Sequence, residues 1–421
     1  MENKYCNLVG TNKIKDEYTN NELKNSEPVG SSQGGKRVAR FTIGTTQNGW
    51  TAKDCDYLCD GEDDQEEIIQ ALEALPPTGG EVVILDGTYN IRASIHIPKN
   101  NVSLRGNGNA TILKRGYDST YTYSGPTAMG LITLYEKSSC RIQGLQIDGN
   151  RASYTNSSNC GIYLASSNNN TVTGNTCNNN NNHGIYVDSS RNNTVTGNTC
   201  TNNSAGIDLA SSNNNTVTGN TCTNNTIGIY LYGSNNNNTV TGNACTNNSI
   251  GIFLHESSND NIITGNTCNN NNNYGIHLNG SNNNNTVTGN TCNNNKYGIN
   301  LYYSSNNTVT GNTCNNNKYG INLYRSSNNT ITGNTCTDSS NCGIYLYYSS
   351  NNNTVTGNTC IRGTGTPGAY TTAQYTILLS GSSNNYNLIS SNNCMGKAVR
   401  VEGGTGNSAW GNKFDATNDL P

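Results

Sequence analysis

A unit close to GIYLxxSSNNNTVTGNTCxNN recurs through the middle of the chain, and nothing else in the sequence constrains the fold as strongly. Nine cysteines mark its period, at Cys177, Cys200, Cys222, Cys245, Cys268, Cys292, Cys314, Cys336 and Cys360, which gives about 23 residues per copy. A unit this short buries too little apolar surface to stand alone, so the copies must stack on one another. Within each copy the apolar positions alternate, as in Gly184-Ile185-Tyr186-Val187 and Thr194-Val195-Thr196. That period of two belongs to strands with one buried face. Stacking aligns Ile185, Ile207, Ile229, Ile252, Ile276, Ile299, Ile321 and Ile344 in one column. Val187 and Leu209 to Leu346 form a second column, and Val172 to Val355 a third. The predicted fold is all-β, a right-handed parallel β-helix with one repeat per rung.

Composition fits a solenoid better than a conventional core: of 421 residues only 32% are hydrophobic and 12% charged. Tyrosines number 25 against 3 phenylalanines and 2 tryptophans, and a ring with a hydroxyl suits a surface. The net charge of −3 leaves no basic footprint for nucleic acid. No run of eighteen apolar residues predicts a membrane span, and Met1-Glu2-Asn3-Lys4-Tyr5 does not open a signal peptide. Synthesis in the cytoplasm is expected, followed by incorporation into a virion or release to the cell exterior.

Asn175, Asn198, Asn220, Asn243, Asn266, Asn290, Asn312, Asn334 and Asn358 recur two residues before each cysteine. Amides stacked one rung apart can hydrogen-bond along the axis, a structural role. The cysteines fall on an inward position, where a free thiol acts as a small hydrophobe. A reduced stack is the expectation, and Cys55-x-x-x-Cys59 has no second pair or histidine to make a zinc site. No metal and no cofactor are predicted.

The chain divides into a polar arm over 1–38, a capping strand and helix over 39–80, the solenoid over 81–395 and its C-terminal end over 396–421. Asp63 or Asp64 is the expected N-cap of the helix, Ile68, Ile69, Leu72 and Leu75 its apolar face, and Pro76-Pro77 its stop. Trp410 and Phe414 are expected to cover the last rung.

The stretch Asp60-Gly61-Glu62-Asp63-Asp64-Gln65, the helix after it, Gly79 to Tyr89 and Asn101-Val102-Ser103-Leu104-Arg105-Gly106 resemble the opening of the pectate-lyase and polygalacturonase-like β-helix superfamily. Phage tail-spike proteins open similarly. The N-x-T-V-T-G-N-T repeats resemble the generic parallel β-helix repeat of carbohydrate-binding and sugar-hydrolysing proteins. The resemblance implies the fold, a polysaccharide partner and, from the tail-spikes, a homotrimer. Neither a calcium-and-arginine constellation nor an Asp-Asp motif of that superfamily can be laid on this sequence, so no activity follows.

Candidate binding residues come from the outward positions. Between inward Ile and Leu stand Tyr163, Tyr186, Asp208, Tyr230, Phe253, His277, Asn300, Asn322 and Tyr345, and after the Leu stand Tyr232, His255, Tyr302, Tyr324 and Tyr347. Rings to stack on and amides to hydrogen-bond are what a glycan requires. Exposed strand positions also favour tyrosine for purely structural reasons. Rung corners vary by a single residue except at Lys114–Gly130, Asn150–Cys160 and Ile361–Tyr375, so any cleft is expected there. The first two of these bring Arg115, Tyr117, Asp118, Tyr121, Tyr123, Asp148, Arg151 and Tyr154 into one neighbourhood. Tyr117 and Tyr154 are further sugar-binding candidates.

Glycoside hydrolysis usually needs two carboxylates, and Asp188 with Asp208 is the close pair. One rung and two residues place their backbones about 8 Å apart, on a face with no walls to raise either pKa. Asp148 in Ile147-Asp148-Gly149-Asn150 reads as a turn residue and remains the other catalytic candidate. Three function classes follow: a polysaccharide-binding tail-spike, fibre or microbial surface component; a polysaccharide lyase or glycoside hydrolase; and a structural spacer.

Overall fold

The computed structural model describes residues 39–119, 129–361, 375–395 and 399–414. The arm over 1–38, Tyr121 and Tyr123, and nearly all of the irregular stretch from Ile361 to Tyr375 lie outside them. The described chain is a right-handed parallel β-helix.

Each repeat contributes a six-residue strand, such as Tyr297–Tyr302, and a shorter one centred on the third column, such as Thr308–Thr310. The six-residue strands belong to a thirteen-stranded parallel sheet running from Ile95–His96 to Arg400–Val401. Identical residues sit in register: Ile185 pairs with Ile207 and Val187 with Leu209, while Ile299 pairs with Ile321 and Leu301 with Leu323. The shorter strands align Val172 with Val195 and Cys177 with Cys200. All these residues are fully buried. A one-residue slip would turn the whole apolar set outward, so the pattern itself holds the register.

In the regular rungs glycine fills the inward position before the Ile, whereas Leu131 and Thr376 hold it near the two ends. A Cβ on Gly298 would meet the Gly320 carbonyl oxygen at 2.5 Å and the Cys314 Cβ at 3.0 Å. The backbone therefore turns tightly over the cysteine of the adjoining rung. All fifteen described cysteines are free and buried. Burial pushes the Cys160 and Cys394 thiols up to about 12, which keeps them protonated.

Amide side chains run along the corners in three columns. In one, Asn220 Nδ2 donates to Asn243 Oδ1 at 3.0 Å and to the Val195 and Thr218 carbonyls. Asn243 Nδ2 in turn donates to Asn266 Oδ1 at 2.9 Å. Parallel columns pass through Asn193, Asn215 and Asn238 and through Asn180, Asn203 and Asn225. Sequence reading identified only the first. Each amide satisfies backbone carbonyls that the turns leave unpaired, which a solenoid corner requires.

Helix α1, Gln65–Ala74, buries Ile68, Ala71 and Leu72 against the first strands. Asp64 holds the N-cap position, but its side chain makes no capping bond. Its carboxylate accepts instead from the Gly61 N–H at 2.8 Å and the Asn90 N–H at 2.7 Å, tying the helix start to a strand. At the other end Trp410 is 60% exposed. It is itself part of the short strand Ser408–Trp410 with its ring to solvent, so the expectation that it covers the last rung is corrected, and the Phe414 side chain lies outside the described residues.

Candidate functional site

The outward face of the thirteen-stranded sheet carries nearly all the candidates, and the structure sorts them. Alternation places the residues between Ile and Leu outward, yet many are not open to solvent. Tyr163, Asp208, His277, Asn300 and Asn322 are buried, because side chains of neighbouring columns close over them. His277 lies between the Phe253 ring at 5.0 Å and the Tyr274 ring at 4.2 Å, nearly parallel to both. It is part of a stack and not a displayed ring. Burial lowers its pKa to about 4.

A column that sequence reading missed supplies the second half of the face. Tyr274, Tyr297 and Tyr319 stand before the inward glycine and stack at 5.1 and 5.0 Å, within 16° of parallel. The threefold recurrence of Y-G-I-x-L was the available signal. Tyr319 stacks on Tyr345 at 5.4 Å and Tyr345 on Tyr347 at 5.3 Å. On the far side Tyr302 stacks on Tyr324 at 4.7 Å, and Tyr324 meets Tyr347 at 5.7 Å. Two rails of rings thus flank a floor of amides, in which Asn322 Nδ2 donates to Asn300 Oδ1 at 2.6 Å. Tyr302 is 36% exposed, Tyr303 39% and Tyr348 46%. The rails continue towards the N-terminus through Phe253, which stacks on Tyr230 at 5.1 Å, and through Tyr230 to Tyr232. Tyr230 shares a hydrogen bond of 3.0 Å with His255.

Nearer the N-terminus the face has different chemistry. Tyr163 and Tyr186 stack at 5.1 Å, and the Tyr163 hydroxyl donates to Asp188 Oδ2 at 3.2 Å. Asp208 pairs with Tyr186 across the sheet, and Asp188 pairs with Ala210. The expected open carboxylate pair is corrected here. Asp208 is buried, and its pKa is raised well above the ordinary value, first by desolvation and then by the Asp188 charge. Its Oδ2 lies 3.4 Å from His183 Nδ1, and burial lowers the imidazole to about 3. His183 Nδ1 and Asp208 Oδ1 are buried without a hydrogen-bond partner. Asp188 remains partly exposed.

The irregular rungs do meet. Asp118 Oδ1 accepts from the Asn156 N–H at 3.0 Å, and the Ser119 N–H donates to Asn159 Oδ1 at 2.7 Å. Arg115 is a buried plug whose guanidinium donates to Ser119 Oγ at 2.9 Å and to the Cys160 carbonyl at 2.5 Å. Tyr117 packs against the core under that guanidinium and donates to the Gly130 carbonyl at 2.9 Å. Its placement as a sugar platform is therefore corrected. Tyr154 is partly exposed, and its carbonyl accepts from Asn159. Asp148 accepts from the Asn150 N–H at 3.0 Å and from Asn179 Nδ2 at 3.3 Å, the bonding of a turn residue. Beside these rungs an open groove of about 390 Å³ is lined by asparagines with Arg151 at one end.

A family model described as "Periplasmic copper-binding protein (NosD)" matches residues 87–283 and 267–420. The chain belongs to the NosD family. Among curated proteins none matches the chain. Solved structures similar to this NosD-family chain share its fold at low identity. The Dettilon tailspike protein is 18% identical with a TM-score of 0.61, over 77% of this chain and 67% of that one. The A-module of the Azotobacter vinelandii mannuronan C-5 epimerase AlgE6 is 17% identical with a TM-score of 0.55, over 86% and 97%. The ORF18 protein of Geobacillus virus E2 is 19% identical with a TM-score of 0.55, over 65% and 59%.

Copper sites draw on imidazole, thiolate and thioether donors, and the family description makes their placement here a direct test. His183 Nδ1 faces Asp208, His255 Nδ1 meets Tyr230 and His277 Nδ1 meets Asn300; His96 Nδ1 is buried without a partner, but among the described residues it belongs to no cluster of three possible ligands. The repeat thiols, from Cys177 through Cys200, Cys222 and Cys245 onwards, lie in single file inside the solenoid. Among the described residues one group of three places possible metal-ligating atoms within 4.8 Å of one another: Cys59, Asp64 and Glu67. It lies before the residues that the family model matches. Both Asp64 oxygens already accept backbone N–H bonds, and Cys59 Sγ donates to the Asp64 carbonyl at 3.7 Å. Burial raises Glu67 to about 7. These donors do not fit a copper site.

Proposed function

We propose that this chain is a polysaccharide-binding solenoid, a tail-spike-like, fibre-like or microbial surface component that works outside the cell or on a virion. The observation that carries the reading is the pair of tyrosine rails along the outward sheet, with amides between them. A pyranose presents C–H faces that stack on rings and hydroxyls that can bond to exposed phenol hydroxyls along the rails. Successive rungs repeat about every 4.8 Å, so the rails offer a series of equivalent platforms to a repeating polymer. Charged groups are scarce on the chain, and a glycan needs few. A homotrimer is part of the proposal, by analogy with tail-spikes. No helix among the described residues is long and apolar enough to cross a membrane.

Hydrolysis is the second reading, favoured by one observation: Asp188 and Asp208 stand on paired strands, and burial raises the Asp208 pKa well above the ordinary value, the direction a general acid needs. Burial of Asp208 opposes it, since a general acid must reach the glycosidic oxygen.

The test is retention of the full chain on a panel of immobilised bacterial and plant polysaccharides, with release of reducing or unsaturated ends followed in parallel. Retention without cleavage supports the proposal, and cleavage replaces it by the second reading. Absence of both leaves a structural spacer.

A further inference from the structure

The three rungs that carry both rails also carry cations without counter-charges. Lys296 Nζ lies 5.6 Å from the centre of the Tyr297 ring and Lys318 Nζ 5.7 Å from that of Tyr319. On the opposite rail the Arg325 guanidinium lies 5.3 Å from the Tyr303 ring and 5.7 Å from the Tyr324 ring. All three cations are exposed. The ion pairs of the described residues involve Arg40, Arg92, Arg105, Arg400, His183 and His255, and none of these three. Elsewhere on the sheet the outward strand charges are Asp188, Asp208 and Arg400, the last paired with Glu402 at 3.0 Å, so among the described residues exposed cations that stand over rings without an ion pair lie on the segment with the most open rings.

Backbone strain marks the same place. The corner residue after each six-residue strand is left-handed in most rungs, and earlier rungs fill it with Ser166, Ser189, Ser211, Gly233 or Gly280, and in two separate rungs with Glu136 and Glu256. Three consecutive rungs instead hold Tyr303 at φ 51°, Arg325 at 47° and Tyr348 at 43°. Bulky side chains are disfavoured there, and such strain clusters where a side chain is needed for function. The interior repeat has no use for these three, since all point to solvent.

Resting on the proposed glycan-binding role, we infer that the ligand is an anionic polysaccharide carrying regularly spaced carboxylates. It lies along the solenoid axis on rungs 296–348, and Arg325 is the carboxylate-reading residue. Tyr302, Tyr324 and Tyr347 take the sugar faces. Arg325, already held in plane by the rings around it, presents the fork that binds a carboxylate through two parallel N–H bonds. Lys296 and Lys318 on the other rail add the point charges that keep such a chain within a Debye length, about 8–10 Å, of a cation. A nucleic-acid strand would stack on rings as well, but it brings a phosphate with every nucleotide. Three cations on a chain of net charge −3 match a sparser polyanion.

The experiment measures binding of the full chain to a polyuronate oligosaccharide, to the same oligosaccharide with its carboxyls reduced to alcohols, and to a single-stranded oligonucleotide of equal length. The expected result is preference for the polyuronate, weakening as salt rises. Arg325→Gln is expected to lose about 10-fold or more on the polyuronate and nothing on the reduced form. Lys318→Gln should lose less and steepen no other property. Circular dichroism and Tm of each variant confirm that the solenoid is intact. Equal binding of charged and reduced forms, or an unaffected Arg325→Gln, overturns this inference while leaving the glycan-binding role standing. No binding to any glycan overturns that role itself, and tighter binding of the oligonucleotide overturns both.

Discussion

Two stretches of one sheet, the strands Cys160–Ala165 to Ala205–Ala210 and the strands Tyr297–Tyr302 to Cys342–Tyr347, share their interior almost atom for atom and differ entirely outside. Both align Ile on Ile and an aliphatic residue on Leu, and both rest on the same amide columns. The first gathers its outward polar groups under rings, with Asp208 buried and His183 half-buried beside the Tyr163–Tyr186 stack. The second leaves its rings and cations to solvent. A parallel β-helix therefore separates two tasks by direction: inward residues pay for the fold, and outward ones are free to diverge rung by rung.

The strongest test of that separation is to damage the interior equally in both stretches. Asn198→Ala and Asn312→Ala each remove an amide that donates to the next rung and to buried carbonyls. Each should lower stability by roughly 3 kcal/mol, the cost of leaving more than one buried group unpaired. Urea unfolding should give the same loss at both sites. A loss at one only would mean that the two interiors are not equivalent.

Outside, the two stretches should part. Replacing Tyr302, Tyr324 and Tyr347 together by alanine is expected to weaken glycan binding roughly 100-fold, about 1 kcal/mol per platform, with little change in Tm. Tyr163→Ala with Tyr186→Ala should do the reverse, lowering Tm and sparing binding. Calorimetric titration beside thermal unfolding separates the two. Equal effects on binding would place the ligand along the whole sheet.

What was readable beforehand follows the same division. Ile299, Leu301, Val309 and Cys314 were legible because an inward position tolerates few side chains and the repeat shows which. Asn175 and its successors were legible for the same reason. The tyrosine rail through Tyr274, Tyr297 and Tyr319 was not, since a residue before glycine reads as part of a corner. Only the small glycine lets the ring lean back over the sheet. Nor could alternation tell outward from exposed. His277 and Asp208 point outward, but Phe253 over the first and His183 beside the second stand on adjoining rungs, more than twenty residues away in sequence. The bonds that make Arg115 a buried plug likewise run partly to Cys160, on another rung.

Acid–base behaviour sharpens the contrast further. Asp208 has a folded pKa above its unfolded value of 3.8, so its contribution to stability is fully present below about 4 and is lost as pH rises through the folded pKa. Asp208→Asn keeps a donor facing His183 and cannot ionise. The variant should therefore gain stability over the wild type as pH rises from 4 to 8, with no difference near pH 3. His183, lowered to about 3, has the opposite dependence and lies 3.4 Å from Asp208, so the same series on His183→Gln and on the double variant separates the two. Denaturation series at several pH values provide the measurement. A difference that stays flat with pH would show Asp208 to be ionised in the fold.

The smallest effect bears on why the second stretch keeps strained corners. Arg325 sits at φ 47°, where glycine suffers no side-chain clash, so Arg325→Gly should raise stability by up to about 1 kcal/mol even after the entropy of the extra glycine is counted. Ser189→Gly at φ 50°, the equivalent corner of the first stretch, relieves the same geometry and should give a similar gain. If Arg325 is kept for its ligand, its replacement must also cost binding, whereas Ser189→Gly must not. A stabilised Arg325→Gly that binds glycan as well as the wild type would mean that the corner was filled by drift, and that the strain marks no site at all.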